Sequence, residues 1–160
     1  MGKAYEFRIS SRLAASPDAV WACIGSMQGV NRELFPFARL TYPRGRARIA
    51  PGVMPLGRRA FRSWILLFGF VPLDYDDLTF VEIYPDGGFL EVSTMLSQRE
   101  WRHRRTLQAV DGGCLLSDEV RLVPRLAVTG PLYRATFALV FRLRHRNLRR
   151  MIAADGQAEV

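Results

Sequence analysis

Apolar and polar positions alternate strictly from Tyr5 to Leu13. Tyr5, Phe7, Ile9, Ser11 and Leu13 fall on one side and Glu6, Arg8, Ser10 and Arg12 on the other. A period of two predicts a half-buried strand. At Ser16-Pro17-Asp18 the pattern changes: a serine cap, a first-turn proline and an acid near the positive end predict a helix start. Its apolar stripe is Ala19, Val20, Cys23, Ile24 and Met27. Gly25 and Gly29 keep it short, and a second short helix is expected over 30–34. An extended piece, 38–42, leads into 43–57, rich in proline, glycine and arginine, which is expected to be a mobile loop. Strands are then expected over 60–70, 78–84, 89–96, 100–110 and 115–124. Pro85-Asp86-Gly87-Gly88 and Asp111-Gly112-Gly113 predict hairpin turns between them. The last pattern is helical. Over 131–153, Tyr133, Phe137, Val140, Phe141, Leu148, Met151 and Ile152 form one stripe, opposite Arg142, Arg146, Arg149 and Arg150.

This order gives an α+β class: a strand, two short helices, about six more antiparallel strands and a long helix, with the helices on one face of the sheet. A strongly curved sheet wrapped around that helix would leave a cavity between them, a usual seat for a small molecule. With 160 residues, one domain spanning 1–160 is expected, with a core of its own.

Composition narrows the function classes. Net charge is +8, and Lys3 is the single lysine among 23 basic residues. The arginines are scattered, which reads as solvated surface and composition bias. No aromatic–basic stacking motif for RNA is visible, so no specific nucleic-acid partner is expected. Arg44, Arg46, Arg48, Arg58 and Arg59 leave peripheral contact with an anionic membrane as a lesser reading. Trp64 to Leu73, the most apolar run, is too short to span a bilayer as a helix. The N-terminus reads as strand rather than secretory leader. Cys23 and Cys114 fit neither a disulfide framework nor a metal spacing, so a reduced, cytoplasmic setting is expected. There is no G-x-S-x-G elbow, P-loop, dinucleotide glycine fingerprint or His/Cys cluster; neither cofactor nor metal is expected.

The segment Phe7 to Trp21, FRISSRLAASPDAVW, resembles the first strand and "xSPxxVW" helix start of the SRPBCC superfamily. That superfamily includes START lipid-transfer domains and birch-pollen-allergen-like and polyketide cyclase-like proteins. Trp101-Arg102-His103, Asp118-Glu119-Val120 and Pro124 resemble the W-x-H, D-x-V, P pattern of one of its branches, which also ends in a helix like Phe141 to Leu148. The resemblance covers essentially the whole chain. It implies a helix-grip fold that binds or carries a small hydrophobic ligand: a lipid, polyketide or isoprenoid. The alternative it implies is a cyclase, aromatase or dehydratase using the same cavity. Either a monomer or a homodimer is compatible.

Candidate residues follow. His103 shares a strand face with Trp101, Arg105 and Leu107, and could be an acid/base or a ligand hydrogen-bonder. In an enzyme, His103 or Arg105 would carry the proton. A two-residue turn at Gly112-Gly113 would set Asp118 opposite Leu107, and a bulged turn would shift that by one, so a His103–Asp118 contact depends on register. Arg144 falls on the inward stripe, where it must find a carboxylate, a ligand oxygen or water. Trp64, Leu66, Phe68, Tyr75, Phe80, Phe89, Met95 and Trp101 are expected to face the helix, lining the cavity with Phe137, Val140 and Phe141. Asp74, Asp76 and Asp77 read as a solvated turn pairing with arginines.

Overall fold

A computed structural model describes residues 2–158. The first alternation is strand β1 (Tyr5–Leu13), followed by helices α1 (Pro17–Ile24) and α2 (Met27–Leu34). Ser16 Oγ accepts the Ala19 N–H at 3.2 Å, capping α1 as its sequence predicts. The second helix starts earlier than expected because Ser26 is also a cap, accepting from the Gly29 N–H at 3.0 Å. Then come β2 (Ala38–Leu40), β3 (Phe61–Leu67), β4 (Val71–Leu78), β5 (Phe80–Ile83), β6 (Gly88–Met95), β7 (Gln98–Val110) and β8 (Gly113–Pro124). All pair antiparallel in the order β1-β8-β7-β6-β4-β3-β2, with β5 branching onto β6. Helix α3 (Gly130–Ala158) closes the chain. The curled sheet holds α3 against its inner face, and this is the helix-grip architecture.

Helix α3 has 29 residues, about 43 Å of helix, and runs five residues past the expected end. It packs chiefly on β1, β8 and α2. Phe141 meets Phe7 edge-on at 5.5 Å. Leu148 and Ile152 join Val20, Ile24 and Leu116 in one buried cluster. Arg142, Arg146, Arg149 and Arg150 are exposed, as the stripe predicts.

Three local expectations need correcting. Residues 60–78 form the hairpin β3–β4, not one strand and a connection. Phe68 and Gly69 both have positive φ, 51° and 86°, the central residues of a primed turn closed by Phe70 N–H to Leu67 O, and a phenylalanine there hides the turn from a composition reading. The stretch 43–57 is tied down. Ile49 and Met54 are each 2% exposed and pack with Met27, Val30 and Phe80. Backbone bonds Met27 N to Ala47 O (2.7 Å) and Ile49 N to Gly25 O (3.0 Å) fasten it to the helices. Finally, the β7–β8 turn is Asp111-Gly112, with Val110 opposite Gly113 and Asp118 opposite Arg105 instead of Leu107.

Gly88, at φ 100°, lies so close to the Arg105 carbonyl oxygen on β7 that an added Cβ would clash with backbone. Gly112, at φ 80°, faces open space. Gly88→Ala is expected to lower unfolding free energy by about 2 kcal/mol or more, and Gly112→Ala by about 1 kcal/mol. Urea titration of both variants checks the contrast.

Candidate functional site

The β7–β8 register sets Arg105 beside Asp118 on the inner face. The guanidinium takes Asp118 in a two-point grip, Nε to Oδ1 and Nη2 to Oδ2, each at 2.8 Å. Its other edge grips Glu33 of α2, Nη1 to Oε1 at 2.7 Å and Nη2 to Oε2 at 3.0 Å. Arg144 of α3 adds Nε to Glu33 Oε2 at 3.0 Å. Arg105 is 1% exposed, Glu33 and Asp118 0%. Burial would favour the neutral acids, but Arg105 overrides it. Together with His103 it holds Asp118 well below the usual carboxylate range, and together with Arg144 it lowers Glu33. Burial likewise works to lower the Arg105 pKa, yet Asp118 and Glu33 outweigh it and raise it.

Both histidines end on Asp118. His103 Nε2 reaches Oδ1 at 2.7 Å and His145 Nε2 reaches Oδ2 at 2.8 Å. His145 Nδ1 lies 2.8 Å from Ser11 Oγ, which accepts from Arg149 Nη1 at 2.8 Å. The His103 ring meets Phe89 and Phe141 edge-on at 5.1 and 5.0 Å. The assembly is closed: each Asp118 oxygen has two donors, and both Glu33 oxygens are taken.

A second polar group lies on the inner faces of β4 and β6. Asp74 and Asp76 share the parity of Leu78 and are buried, as are Glu91 and Ser93. Ser93 Oγ donates to Glu91 Oε1 at 2.7 Å, and Glu91 Oε2 lies 3.7 Å from His103 Nδ1. Asp74 accepts from the Ser97 hydroxyl and from the Ser97 N–H at 3.2 Å. Asp76 Oδ1 and Gln98 Oε1 are buried without a hydrogen-bond partner among the described residues. Burial, reinforced by the neighbouring Glu91, raises the Asp76 pKa well above the usual range. The solvated-turn expectation therefore holds for Asp77 alone, which Arg62 grips at 2.8 and 2.9 Å. Strand parity turns Asp74 and Asp76 inward.

The structure brings together Phe80, Trp101, His103, Phe137, Val140 and Phe141 between sheet and helix. The Trp101 ring lies tilted at 4.7 Å from Phe137, and Val140 packs on the cluster holding Phe80 and Phe89. Trp64 and Tyr75 lie on the outer face, ring to ring at 5.4 Å, with Arg62 over Tyr75. Leu66 pairs there with Arg39, and Phe68 sits exposed at the β3–β4 turn. These four do not line the interior, because Ser63, Asp74 and Asp76 hold the inward parity. Arg144 meets Glu33, and Arg105 is locked as a cation between two carboxylates, which removes it as a proton carrier. The expected open cavity is filled at the β7–β8 end by this network. A concavity of about 460 Å³ lies instead on the outer face, lined by Arg8, Arg102, Arg104 and Arg121 among others.

Sequence reasoning missed Glu33, Asp76, Glu91 and Gln98 as members of this interior, whereas Ser11 falls on the inward side of the β1 alternation. The signal was present for some: Glu33 sits on the stripe of Val30 and Leu34, and Glu91 shares parity with Phe89 and Met95.

A family model matches residues 11–152. The chain belongs to the DUF8410 family, a domain of unknown function. Among curated proteins, no sequence matches this DUF8410 chain. Solved structures share its fold. A START superfamily protein from Mycobacterium smegmatis is 11% identical, with 96% of this chain and 99% of that one covered and a TM-score of 0.65. Ara h 8.0201 is 9% identical over 95% and 99%, with a TM-score of 0.64. DynU16, from the dynemicin biosynthetic locus, is 17% identical over 89% of this chain and 46% of its own, with a TM-score of 0.57. At these identities the likeness establishes a START-like helix-grip fold for the DUF8410 domain.

The two acid groups predict opposite responses. Asp118 is ionised in the folded state to lower pH than when unfolded. Its contribution is therefore present above about pH 4 and lost as pH falls through its folded value. Asp76 is the reverse: above about pH 4 the unfolded chain releases a proton that the folded state retains, which costs stability. At pH 7, Arg105→Met is expected to destabilise by about 3–5 kcal/mol, since it strands two buried carboxylates, whereas Asp76→Asn is expected to raise the melting temperature. Calorimetry of both variants at pH 7 checks the signs.

Proposed function

We propose that this domain binds and carries a small hydrophobic ligand beneath the N-terminal half of α3, against the inner face of β3–β6. The carrying observation is where apolar surface stays uncovered. Next to the closed network, Phe61, Ile65, Tyr133, Phe137 and Val140 are only half-buried, although Ile65, Tyr133 and Phe137 border the cluster of Met95, Trp101 and Phe141. Elsewhere large side chains face solvent: Phe35 72%, Phe70 73% and Val128 86% exposed, with Phe68, Leu73 and Leu132 also exposed. Soluble domains rarely leave so much apolar surface uncovered without a use for it. The START-like fold supports the same reading.

The saturated network supports carriage over catalysis, because His103 and Asp118 are both committed within it. A polyketide cyclase- or dehydratase-like reaction is the second reading. It is favoured by Asp76, whose raised pKa keeps a proton beside the same seat, and by the fold shared with a protein of the dynemicin locus.

Titration with N-phenyl-1-naphthylamine is expected to give saturable fluorescence enhancement, and Phe137→Arg to weaken it at least tenfold by placing a charge in the seat. Enhancement that never saturates, or equal binding by Phe137→Arg, overturns the proposal. The second reading requires turnover of an aryl polyketide thioester that Asp76→Asn loses.

A further inference from the structure

The interior acids are treated unequally. Glu33 and Asp118 share the Arg105 guanidinium, and Arg144 adds to Glu33. Among the described residues no guanidinium pairs with Asp76 or Glu91, in a chain carrying 23 basic residues. The basic side chain paired with Glu91 among the described residues is the His103 imidazole, Nδ1 lying 3.7 Å from Oε2. Asp76 is 8% and Glu91 4% exposed, so water screens neither well, and a buried carboxyl without a partner is costly. The unmet groups are also all acceptors. Asp76 Oδ1 has no donor, and neither does Gln98 Oε1. Gln98, fully buried, gives its amide nitrogen to Ser97 Oγ at 3.1 Å, and the Ser97 hydroxyl is given to Asp74. An incoming ammonium would supply N–H donors to these oxygens and displace the proton that Asp76 otherwise retains.

A metal ion is the poorer complement, since no three His, Cys, Asp or Glu side chains among the described residues are arranged to hold one. An ammonium group suits it better: it is compact, carries up to three N–H donors, and needs no fixed coordination geometry. The apolar body of such a ligand has a place beside it. Met95 is the cross-strand partner of Asp76, and Ile65 and Phe137 pack on the cluster that contains Met95.

We propose that the seat takes a hydrophobic amine, whose ammonium group is received by Asp76 and Glu91, while its apolar part lies along Met95, Ile65 and Phe137. This rests on the ligand-binding reading above and specifies the ligand's chemical class.

The test is competition against N-phenyl-1-naphthylamine by dodecylamine, dodecanol and dodecanoate, which share a chain and differ in the head group. Dodecylamine is expected to compete at least tenfold better than dodecanol, and dodecanoate worst. In Asp76→Asn and Glu91→Gln, both verified as folded by circular dichroism, the ratio of amine to alcohol is expected to fall to near one. Equal competition by amine and alcohol in the wild-type chain, or an unchanged ratio in both variants, overturns the amine assignment and leaves the binding reading standing. If the naphthylamine does not bind, the binding reading falls on its own. Native mass spectrometry with dodecylamine and dodecanol then decides the amine site: a 1:1 complex with the amine alone supports it, and no complex overturns it.

Discussion

Arg105 is the group on which the interior depends. It bridges a carboxylate of β8 and a carboxylate of α2, and through Glu33 it reaches Arg144 of α3. The β7–β8 hairpin and α2 are thereby held by one planar cation, and α3 joins them through Arg144. Such a buried assembly adds little net stability compared with an apolar core of the same shape. Its geometric demands, however, exclude other packings, because a shifted register or a rotated helix would strand charge away from water. The docking angle of α3 and the β7–β8 register are fixed by the same atoms.

This divides the space between sheet and helix into two ends of different character. Around Arg105 both oxygens of Asp118 and of Glu33 are met from within the protein, and the ring of His103 is boxed by aromatic edges. Toward β4 and the start of β7, Asp76 Oδ1 and Gln98 Oε1 remain unmet among the described residues, and hydrophobic side chains of β3 and α3 are half-covered. The first end behaves as framework, and the second has capacity left for something else. A rigid framework beside an under-satisfied wall is how a protein positions a site without relying on the ligand to organise it.

The sequence made the scaffold readable because its periods were clean. The β1 alternation, the Ser16 cap and the α3 stripe each appear where local pattern places them. The β3–β4 hairpin escaped because its turn uses Phe68 where glycine or asparagine would have announced it. The interior was harder to read for a more general reason. Asp74 and Asp76 were assigned to solvent by residue type, whereas strand parity puts them inside, and Trp64 and Tyr75 were assigned inside by the same habit. Parity was the better guide. The Arg105–Glu33 pair joins residues 72 apart, and no local pattern reports a partner at that distance.

The sequence distances in the network bear on how the chain is made. Arg144 meets Glu33 across 111 positions and His145 meets Ser11 across 134, and both late residues belong to the final helix. During synthesis, Glu33, Arg105 and Asp118 leave the ribosome before Arg144 and His145 do. A nascent sheet would therefore hold part of this charge cluster exposed, with its apolar inner face uncovered, until the last helix emerged. Contacts of such long range form late and slowly, and incompletely covered intermediates are the ones that aggregate. For this domain, the interval between translating β8 and releasing α3 is when a chaperone would matter most.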